Sequence, residues 1–184
     1  MKHLLRLNLL IVLSSSFFFV SCDKIKDAVK VDVAMQTADV NFTIQPQAAG
    51  TQTLSEFVAN LNIDSAIKAN SSQFGINNIK SVKILSVKVN LLNGEGVNTF
   101  GALSDCKMEF SSSNKPAKVT LATLSNNPDA ASSVLDLPVN SSLELKEYFS
   151  ATSFNYTLSG TTRRATTQAL NCKATIKFNV QVGL

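Results

Sequence analysis

Residues 170–184 read L-N-C-K-A-T-I-K-F-N-V-Q-V-G-L, and apolar and polar side chains alternate along this stretch. The apolar positions recur at every second residue from Leu170 to Val182, with polar residues between them. Alternation with a period of two is typical of a β-strand that has one face on a core and the other in solvent. The stretch therefore predicts a long strand, and it favours a fold built from sheets.

A second long alternating segment, I-K-S-V-K-I-L-S-V-K-V-N-L-L, occupies residues 79–92. Its apolar residues fall on even positions up to Ile84 and on odd positions from Leu85 onwards. Such a phase change turns every later side chain to the opposite face of the sheet unless one extra residue is absorbed. The pattern predicts a β-bulge or a change of sheet at Ile84-Leu85.

Shorter segments of the same kind predict further strands, since they are divided by turn-forming Gly, Pro, Asn and Ser residues. They are residues 40–44, 104–111, 116–124, 133–139 and 153–159. Residues 161–167, T-T-R-R-A-T-T, would form the hairpin tip before the last strand. Arg163 and Arg164 could contact a ligand or a protease there, but exposed arginines are ordinary at a hairpin tip, and we favour that interpretation.

Two capping-box sequences predict short helices. T-L-S-E at 53–56 precedes apolar residues at the i, i+3, i+4 and i+7 positions of an amphipathic helix, and a further turn is expected from Asp64 to Ala69. We expect this apolar stripe to pack on the core, in preference to a membrane or a partner. S-S-L-E at 141–144 would open a second helical turn through Tyr148 and Phe149.

About seven strands and one or two short helices predict a mainly β protein, an antiparallel β-sandwich at residues 37–184. The V-N-F-T-I strand at 40–44 and the I-K-S-V-K-I-L-S-V-K-V run at 79–89 resemble the immunoglobulin-like domain of the late-embryogenesis-abundant "water stress and hypersensitive response" type. That resemblance implies an immunoglobulin-like sandwich, and only this architecture is carried over from it.

The N-terminal residues have the layout of a bacterial secretory signal peptide. Lys2 and Arg6 supply positive charge, and residues 7–20 are apolar except for Asn8 and the serines at 14–16. A transmembrane anchor is the alternative, but this apolar stretch is shorter than the roughly 20 residues that a spanning helix needs. We therefore predict a signal peptide at residues 1–21.

The segment F-V-S-C at 19–22 resembles a lipobox, the cleavage site of bacterial lipoprotein signal peptidase, although Phe19 stands where leucine is usual. The resemblance implies that the Cys22 thiol carries a diacylglycerol and that its freed amine is acylated as well, which together anchor a protein stably. Ordinary secretion with cleavage near Ser21 is the alternative, and it would leave a free thiol. Residues 22–36 are then a lipidated tether, which can end as the first strand.

We thus expect a protein of the bacterial cell envelope, lipid-anchored at the outer membrane in preference to the inner one and facing the periplasm or the surface. Asp23 resembles the inner-membrane retention signal of enterobacterial-type sorting, which other lineages do not follow, so the choice of membrane stays open. No basic cluster is longer than Arg163-Arg164 despite the formal net charge of +4, so we expect no nucleic-acid partner. The expected partners are the membrane, through the anchor, and a protein or a glycan.

Three cysteines occur in the chain, and lipidation of Cys22 would leave Cys106 and Cys172 as an even pair in an oxidising compartment. Both lie at apolar positions of alternating strands and should point inward. A bridge between them would stabilise the fold by about 4 kcal/mol on the loop-entropy model. The alternative is two separate buried thiols that behave as small apolar side chains.

Missing residue types restrict the chemistry. The only histidine is His3, in the leader, and the chain has no tryptophan. Without imidazole the mature chain cannot form a Ser-His-Asp or Cys-His site, and it lacks the commonest zinc and copper ligand. We therefore expect no enzymatic activity, no metal and no cofactor.

Three functional hypotheses remain. The first is a non-enzymatic, lipid-anchored module that binds a partner or serves in an assembly. The second is a carrier of lipid or another apolar ligand, which would require an unfilled interior. The third is a glycan hydrolase that depends on two converging carboxylates; its only plausible suppliers are Asp105, Glu109, Asp129 and Asp136, and their spacing suggests no pair.

Overall fold

The computed structural model describes residues 30–37, 39–96 and 98–184. The predicted signal peptide, Cys22 and residues 23–29 of the predicted tether lie outside the described residues. In chain order the described elements are β1 (Lys30–Gln36), β2 (Val40–Ile44), β3 (Gly50–Asn60), α1 (Ile63–Asn70), β4 (Ile79–Leu91), β5 (Leu103–Ser112), β6 (Val119–Leu124), β7 (Val134–Leu137), β8 (Ser153–Thr162) and β9 (Leu170–Gly183). Short 3₁₀ turns lie at Ile76–Asn78, Phe100–Ala102 and Lys146–Tyr148.

These strands form two antiparallel sheets that pack face to face. Sheet A has the order β1-β9-β4-β7, and β2 pairs with β9 beyond the end of β1. Sheet B has the order β3-β8-β5-β6. The predicted class, a mainly β antiparallel sandwich with a short helix, is confirmed.

Strand pairing is nested, so that strands early in the chain pair with strands late in the chain. β2 pairs with β9, β3 with β8, β4 with β7, and β5 with β6. This is a long hairpin rolled into two sheets, the connectivity of a jelly roll. It differs from the strand order of the immunoglobulin-like sandwich that the resemblance implied, in which A, B, E and D form one sheet and C, F and G the other.

The last strand is the centre of sheet A, as its alternation suggested. Its apolar residues from Leu170 to Val182 are all buried, whereas the residues between them are half-buried or exposed. β9 bonds to β1 and β2 along one side and to β4 along the other. Alternation with a period of two is expected of a strand that has one apolar face, and β9 has this pattern while it is hydrogen-bonded to other strands on both sides.

The irregularity predicted in β4 is confirmed. The register of β4 against β9 shifts between Ile84 and Ser86, so that Leu85 is the extra residue of a β-bulge. Ile84 and Val87 therefore both face the core, while Leu85 is exposed.

The helix predicted from T-L-S-E at 53–56 is wrong, because these residues belong to strand β3. A register shift between Thr53 and Ser55 makes Leu54 a bulge residue, so that Leu54 and Phe57 are both buried although they are three positions apart. The spacing that resembled a helix thus comes from a bulge in a strand. The Glu56 carboxylate, which was expected to cap a helix, accepts instead from the Lys118 ammonium at 3.0 Å and the Thr157 hydroxyl at 3.1 Å.

The turn expected from Asp64 to Ala69 is confirmed as helix α1, which the Asn62 side chain caps by accepting from the Ser65 amide. A short helical turn also occurs at Lys146–Tyr148, near the second capping-box sequence. Glu144 does more than cap this turn: it accepts hydrogen bonds from the Val82 amide at 2.8 Å and the Ser81 hydroxyl at 2.7 Å. Its carboxylate therefore covers an edge of β4 that β7 leaves unpaired.

Residues 161–167 do not form the predicted hairpin tip. β8 belongs to sheet B and β9 to sheet A, so the segment between them crosses from one sheet to the other. Its arginines are half-buried instead of exposed. Arg163 donates to the carbonyls of Gly101, Leu103 and Asn127, which fixes three loop segments at this end of the sandwich.

The end of the predicted tether is part of the sandwich. Lys30–Gln36 forms β1, which pairs with β9 over its full length, and the sequence analysis allowed for this outcome. Val33 and Met35 of β1 are buried in the core. The folded region therefore includes Lys30–Gln36, ahead of the boundary at residue 37 that the sequence analysis assigned.

Aromatic rings fill the middle of the sandwich. Phe110 contacts the rings of Tyr148, Phe149, Phe154, Tyr156 and Phe178 at centroid distances from 5.3 to 6.3 Å. Every Phe and Tyr of the described residues is buried. The described part of the chain therefore exposes no aromatic side chain on the outer face of either sheet.

Candidate functional site

A groove on the outer face of sheet B is the strongest candidate site. It has a volume of about 350 Å³, and we call it the sheet-B groove. Its polar lining consists of Glu56, Ser111, Lys118, Asn155 and Thr157, and Val58 lies at its rim. Strand register creates it, since Ser111, Asn155 and Val58 follow one another across β5, β8 and β3.

An ion pair crosses this groove. The Lys118 ammonium lies 3.0 Å from Oε1 of Glu56, and the same oxygen accepts from the Thr157 hydroxyl at 3.1 Å. The hydrogen bond from Lys118, followed by that from Thr157, lowers the pKa of Glu56. Glu56 is therefore a fixed anion at neutral pH and cannot serve as a general acid.

The floor of the groove offers hydroxyl and amide groups. Ser111 and Thr157 are buried, and Asn155 is exposed beside them. Such groups can hold a polar segment of a partner by hydrogen bonds, and Phe57, Val58 and Tyr156 add apolar surface to the same lining. The arrangement is suited to binding.

Glu56 and Glu109 form a carboxylate pair that the sequence analysis missed. Strand register places them on either side of Thr157, in β3 and β5, so their Cα atoms are separated by about 10 Å. Glu109 has its own ion pair, with Lys107 at 3.0 Å. Each glutamate is thus matched by a lysine, which disfavours the acid–base partnership that glycoside hydrolysis needs.

The four carboxylates named for a hydrolase do not meet at one site, although Asp105 and Asp129 both lie close enough to Arg163 to interact with its charge. Asp105 accepts from the Ser104 hydroxyl at 2.6 Å, and that bond, with a weaker one from the Asn126 amide, lowers the pKa of Asp105. The hydrogen bond from Arg164 at 2.6 Å lowers the pKa of Asp129. Asp136 lies on the other sheet, where it pairs with Lys88 at 3.4 Å. Asp105 and Glu109 belong to β5 of sheet B, so Asp136 of β7 does not share a sheet with either of them.

The predicted bridge between Cys106 and Cys172 is absent from the structure, where both are free, buried thiols. Each thiol is packed within its own sheet: Cys106 of β5 lies against Gly160 of β8, and Cys172 of β9 donates weakly to the Leu170 carbonyl at 3.5 Å. Burial raises the pKa of each thiol to about 12, with a further contribution at Cys106 from the Asp105 carboxylate. In this structure Cys106 and Cys172 match the alternative expectation of two separate buried thiols that pack as small apolar side chains.

Cys22, the predicted lipidation site, lies outside the described residues. In residues 30–37, 39–96 and 98–184 no helix is long and apolar enough to cross a membrane. The same residues contain no cluster of three His, Cys, Asp or Glu side chains that could hold a metal ion.

A second depression, of about 300 Å³, lies at one end of the sandwich beside Ile76, Asn77, Ile79, Lys146, Phe149 and Ser150. It opens to solvent, and the core residues Ile79 and Phe149 form part of its wall. The space between the sheets is occupied by the aromatic rings around Phe110, so an apolar ligand would have to displace them.

Comparisons with known proteins show no family. No protein-family profile and no curated protein matches the chain. Among solved structures, infectious bursal disease virus (Gt strain) matches 84% of this chain and 33% of that chain at 16% identity and a TM-score of 0.37. The chain thus spans about a third of that viral chain.

Two further solved structures are also similar. The Desmodium yellow mottle tymovirus chain matches with 10% identity over 84% of this chain and 87% of that chain, at a TM-score of 0.31. The capsid of Helicobacter pylori bacteriophage KHP30 matches with 12% identity over 84% and 98%, at a TM-score of 0.33. All three TM-scores are below 0.5, so these likenesses have no bearing on what this chain does.

The sheet-B groove could not be found from the sequence, because its residues come from four separate segments. Glu56 was assigned to a helix, which hid its position beside Thr157. The one usable signal was the run of threonine and serine residues at alternate positions of β3 and β8, a pattern typical of a solvated strand face.

Proposed function

We propose that the protein is a non-enzymatic lipoprotein of the bacterial cell envelope, in which a lipid-anchored β-sandwich acts as a binding or assembly module. The observation that carries this proposal is the position of Lys30. It lies eight residues after Cys22 and starts an edge strand at one end of the sandwich. A lipid on Cys22 would therefore hold the domain by that end.

The position of Lys30 distinguishes the two ends of the sandwich, which we call the base and the distal end. The base contains Lys30, Ile79 and Gly183, which are brought together by the pairing of β1 and β4 with β9. The distal end contains the loops 45–49, 92–102, 125–133 and 163–169. β9, with 14 residues, spans about 46 Å, whereas eight residues of tether reach at most about 28 Å. An anchored domain would present its distal end and both sheet faces away from the bilayer.

Surface chemistry supports a binding role. Glu56, Asp129 and Asp136 are each held in an ion pair with a lysine or an arginine. Exposed aliphatic side chains occur at the distal part of sheet A, where Leu92 is 57% and Val134 is 40% exposed. Exposed aliphatic groups on a polar, ion-paired surface are compatible with contact to a protein partner.

Replacement of Cys22 tests the anchor. Expressed in a bacterial host with radiolabelled palmitate, the full chain should be labelled and should sediment with the membranes. Cys22→Ser should remove the label and release the protein from the membrane fraction, whereas Cys106→Ser should change neither. A Cys22→Ser protein that is still processed and still sediments with membranes would overturn the proposal.

A further inference from the structure

The base of the sandwich combines a depression, two lysines that form no ion pair with a described residue, and an exposed apolar side chain. The depression is the one beside Ile76, Asn77 and Lys146. It lies next to the point where the chain enters the fold, since Lys30 pairs with Gly183 and Val182 pairs with Ile79. The Asn78 side chain also donates to the Gly183 carbonyl at 3.4 Å, which ties the depression to the end of β9.

Two lysines at this end, Lys80 and Lys146, form no ion pair with a described residue. Around it, Lys68 pairs with Asp64, Lys83 with Glu144, and Lys115 with Glu147. Lys80 and Lys146 are exposed, and neither forms an ion pair within the described part of the chain. Lys177, in the middle of sheet A, is also exposed and without an ion pair, so it provides a matched comparison away from the base.

Apolar surface lies beside these charges. Leu184 follows Gly183 at the end of β9 and is 59% exposed. Ile76 is half-buried at the wall of the depression, and Asn77 is exposed at its rim. A basic surface with a small apolar element is complementary to the headgroup region of an anionic bilayer.

We propose that the base docks onto the anionic lipid surface beneath the anchor, an inference that rests on the proposed lipidation of Cys22. The tether keeps the base within about 28 Å of the bilayer, which makes docking intramolecular and raises the effective lipid concentration. Each lysine close to an anionic surface strengthens such contact about fivefold. Docking therefore gives the tethered sandwich a fixed orientation, with its distal end outward.

A probe placed at the base tests this orientation. The lipidated full chain is prepared with Asn77→Cys or with Glu95→Cys, an exposed position at the distal end, and each new thiol is labelled with a fluorophore. The protein is reconstituted into vesicles of phosphatidylethanolamine and phosphatidylglycerol that contain a nitroxide headgroup lipid. We expect strong quenching of the label at 77 and little at 95. In phosphatidylcholine vesicles, or at high salt, the difference in quenching between positions 77 and 95, which we call the contrast, should become smaller.

Charge reversal separates docking from mere tethering. Lys80→Glu with Lys146→Glu should weaken docking by about 25-fold or more, which should abolish the contrast between positions 77 and 95. Lys177→Glu should leave the contrast unchanged. Equal quenching at the two positions of a lipidated protein, or a contrast that survives Lys80→Glu with Lys146→Glu, would overturn docking but not the proposed function. A chain that carries no lipid and stays soluble would overturn both.

Discussion

The hydroxyl of Tyr156 is buried in the aromatic core and makes no hydrogen bond. Phe57 stacks on one side of its ring at 5.4 Å, and Phe110 lies at 5.3 Å. A buried hydroxyl without a partner retains its full desolvation cost, and the same burial raises the pKa of Tyr156.

Tyr156→Phe should therefore stabilise the protein, by about 1 kcal/mol, because it removes an unsatisfied polar atom and keeps the ring. Urea unfolding of the two proteins measures the difference. Tyr148→Phe is a suitable control, since the Tyr148 hydroxyl donates to the Ala117 carbonyl at 3.1 Å and its loss should destabilise. A loss of stability in Tyr156→Phe would show that the hydroxyl is satisfied.

Both core thiols should be chemically inert in the folded protein. Burial raises the pKa of Cys106 and of Cys172 to about 12, so the reactive thiolate is scarce at neutral pH. Iodoacetamide should modify neither thiol under native conditions and both after unfolding without a reductant. Mass spectrometry counts the adducts, and two unmodified cysteines in the unfolded, unreduced protein would restore the predicted bridge.

At the scale of elements, β1 shows where the domain begins. Val33 is buried while its neighbour Ala34 is exposed, so adjacent positions of one strand have opposite environments. Such alternation belongs to a strand of the sandwich and not to a solvated tether.

Val33→Asp should destabilise the fold by at least about 3 kcal/mol, because it places an unpaired carboxylate in the core. Ala34→Asp adds the same charge one residue away and should cost about 1 kcal/mol or less. Thermal unfolding compares the two variants. Equal effects would indicate that Lys30–Gln36 is not packed as a strand.

Glu144 illustrates how a side chain completes an unpaired strand edge. Partial burial acts to raise its pKa, but the hydrogen bonds from Ser81, Val82 and Lys146 outweigh this, and the pKa of Glu144 lies below its ordinary value of 4.5. Because the pKa of Glu144 is lowered in the folded state, its carboxylate stabilises the fold above pH 4.5. This stabilisation is lost as the pH falls through the folded-state pKa.

Glu144→Gln should thus lower the stability near pH 7 by about 1 kcal/mol, a small value because the carboxylate is nearly half exposed. The difference between wild type and variant should shrink as the pH falls below 4.5. Denaturation curves at several pH values measure it, with the exposed Glu95→Gln as the control. A difference that stays constant down to pH 3 would contradict the assigned role of the carboxylate.

At the scale of the whole molecule, β9 holds the two halves of the chain together. It pairs with β1 and β2 from the beginning of the described chain and with β4 from its middle. β7, in contrast, is a strand of four residues at the edge of the same sheet. The free energy of local opening should therefore be highest around β9 and lower at β7.

Hydrogen exchange should detect this gradient. The amides of β9 near Ile176 should exchange only through global unfolding, because they are bonded or covered on both sides, while those of β7 should exchange through local opening. Mass spectrometry or NMR measures both sets in one sample. Equal protection of β7 and β9 would contradict this account.

Much of the fold could be predicted where the information was local. Alternation located most of the strands, and the phase change at Ile84-Leu85 located a bulge to within one residue. The prediction failed where a bulge imitated a helix, around Leu54 and Phe57, and where a connection between sheets imitated a hairpin, around Arg163. In both cases the local pattern was compatible with two structures, and contacts between distant segments selected one of them. β3 pairs with β8, about 100 residues later in the chain, and Arg163 bonds to Gly101 and Leu103, about 60 residues earlier.

Little of the candidate site could be predicted. Glu56 and Thr157 lie 101 residues apart in the chain and meet only because β3 pairs with β8. The sequence alone determined a sandwich with an apolar interior and a chain whose only histidine is His3, and it gave the expectation of a lipid anchor at Cys22. Only the tertiary structure decided which strands share a sheet, and hence that Glu56, Lys118 and Thr157 line one groove. The physical reason is that side-chain alternation is a property of consecutive residues, whereas the hydrogen bonds between strands depend on the packing of the whole chain.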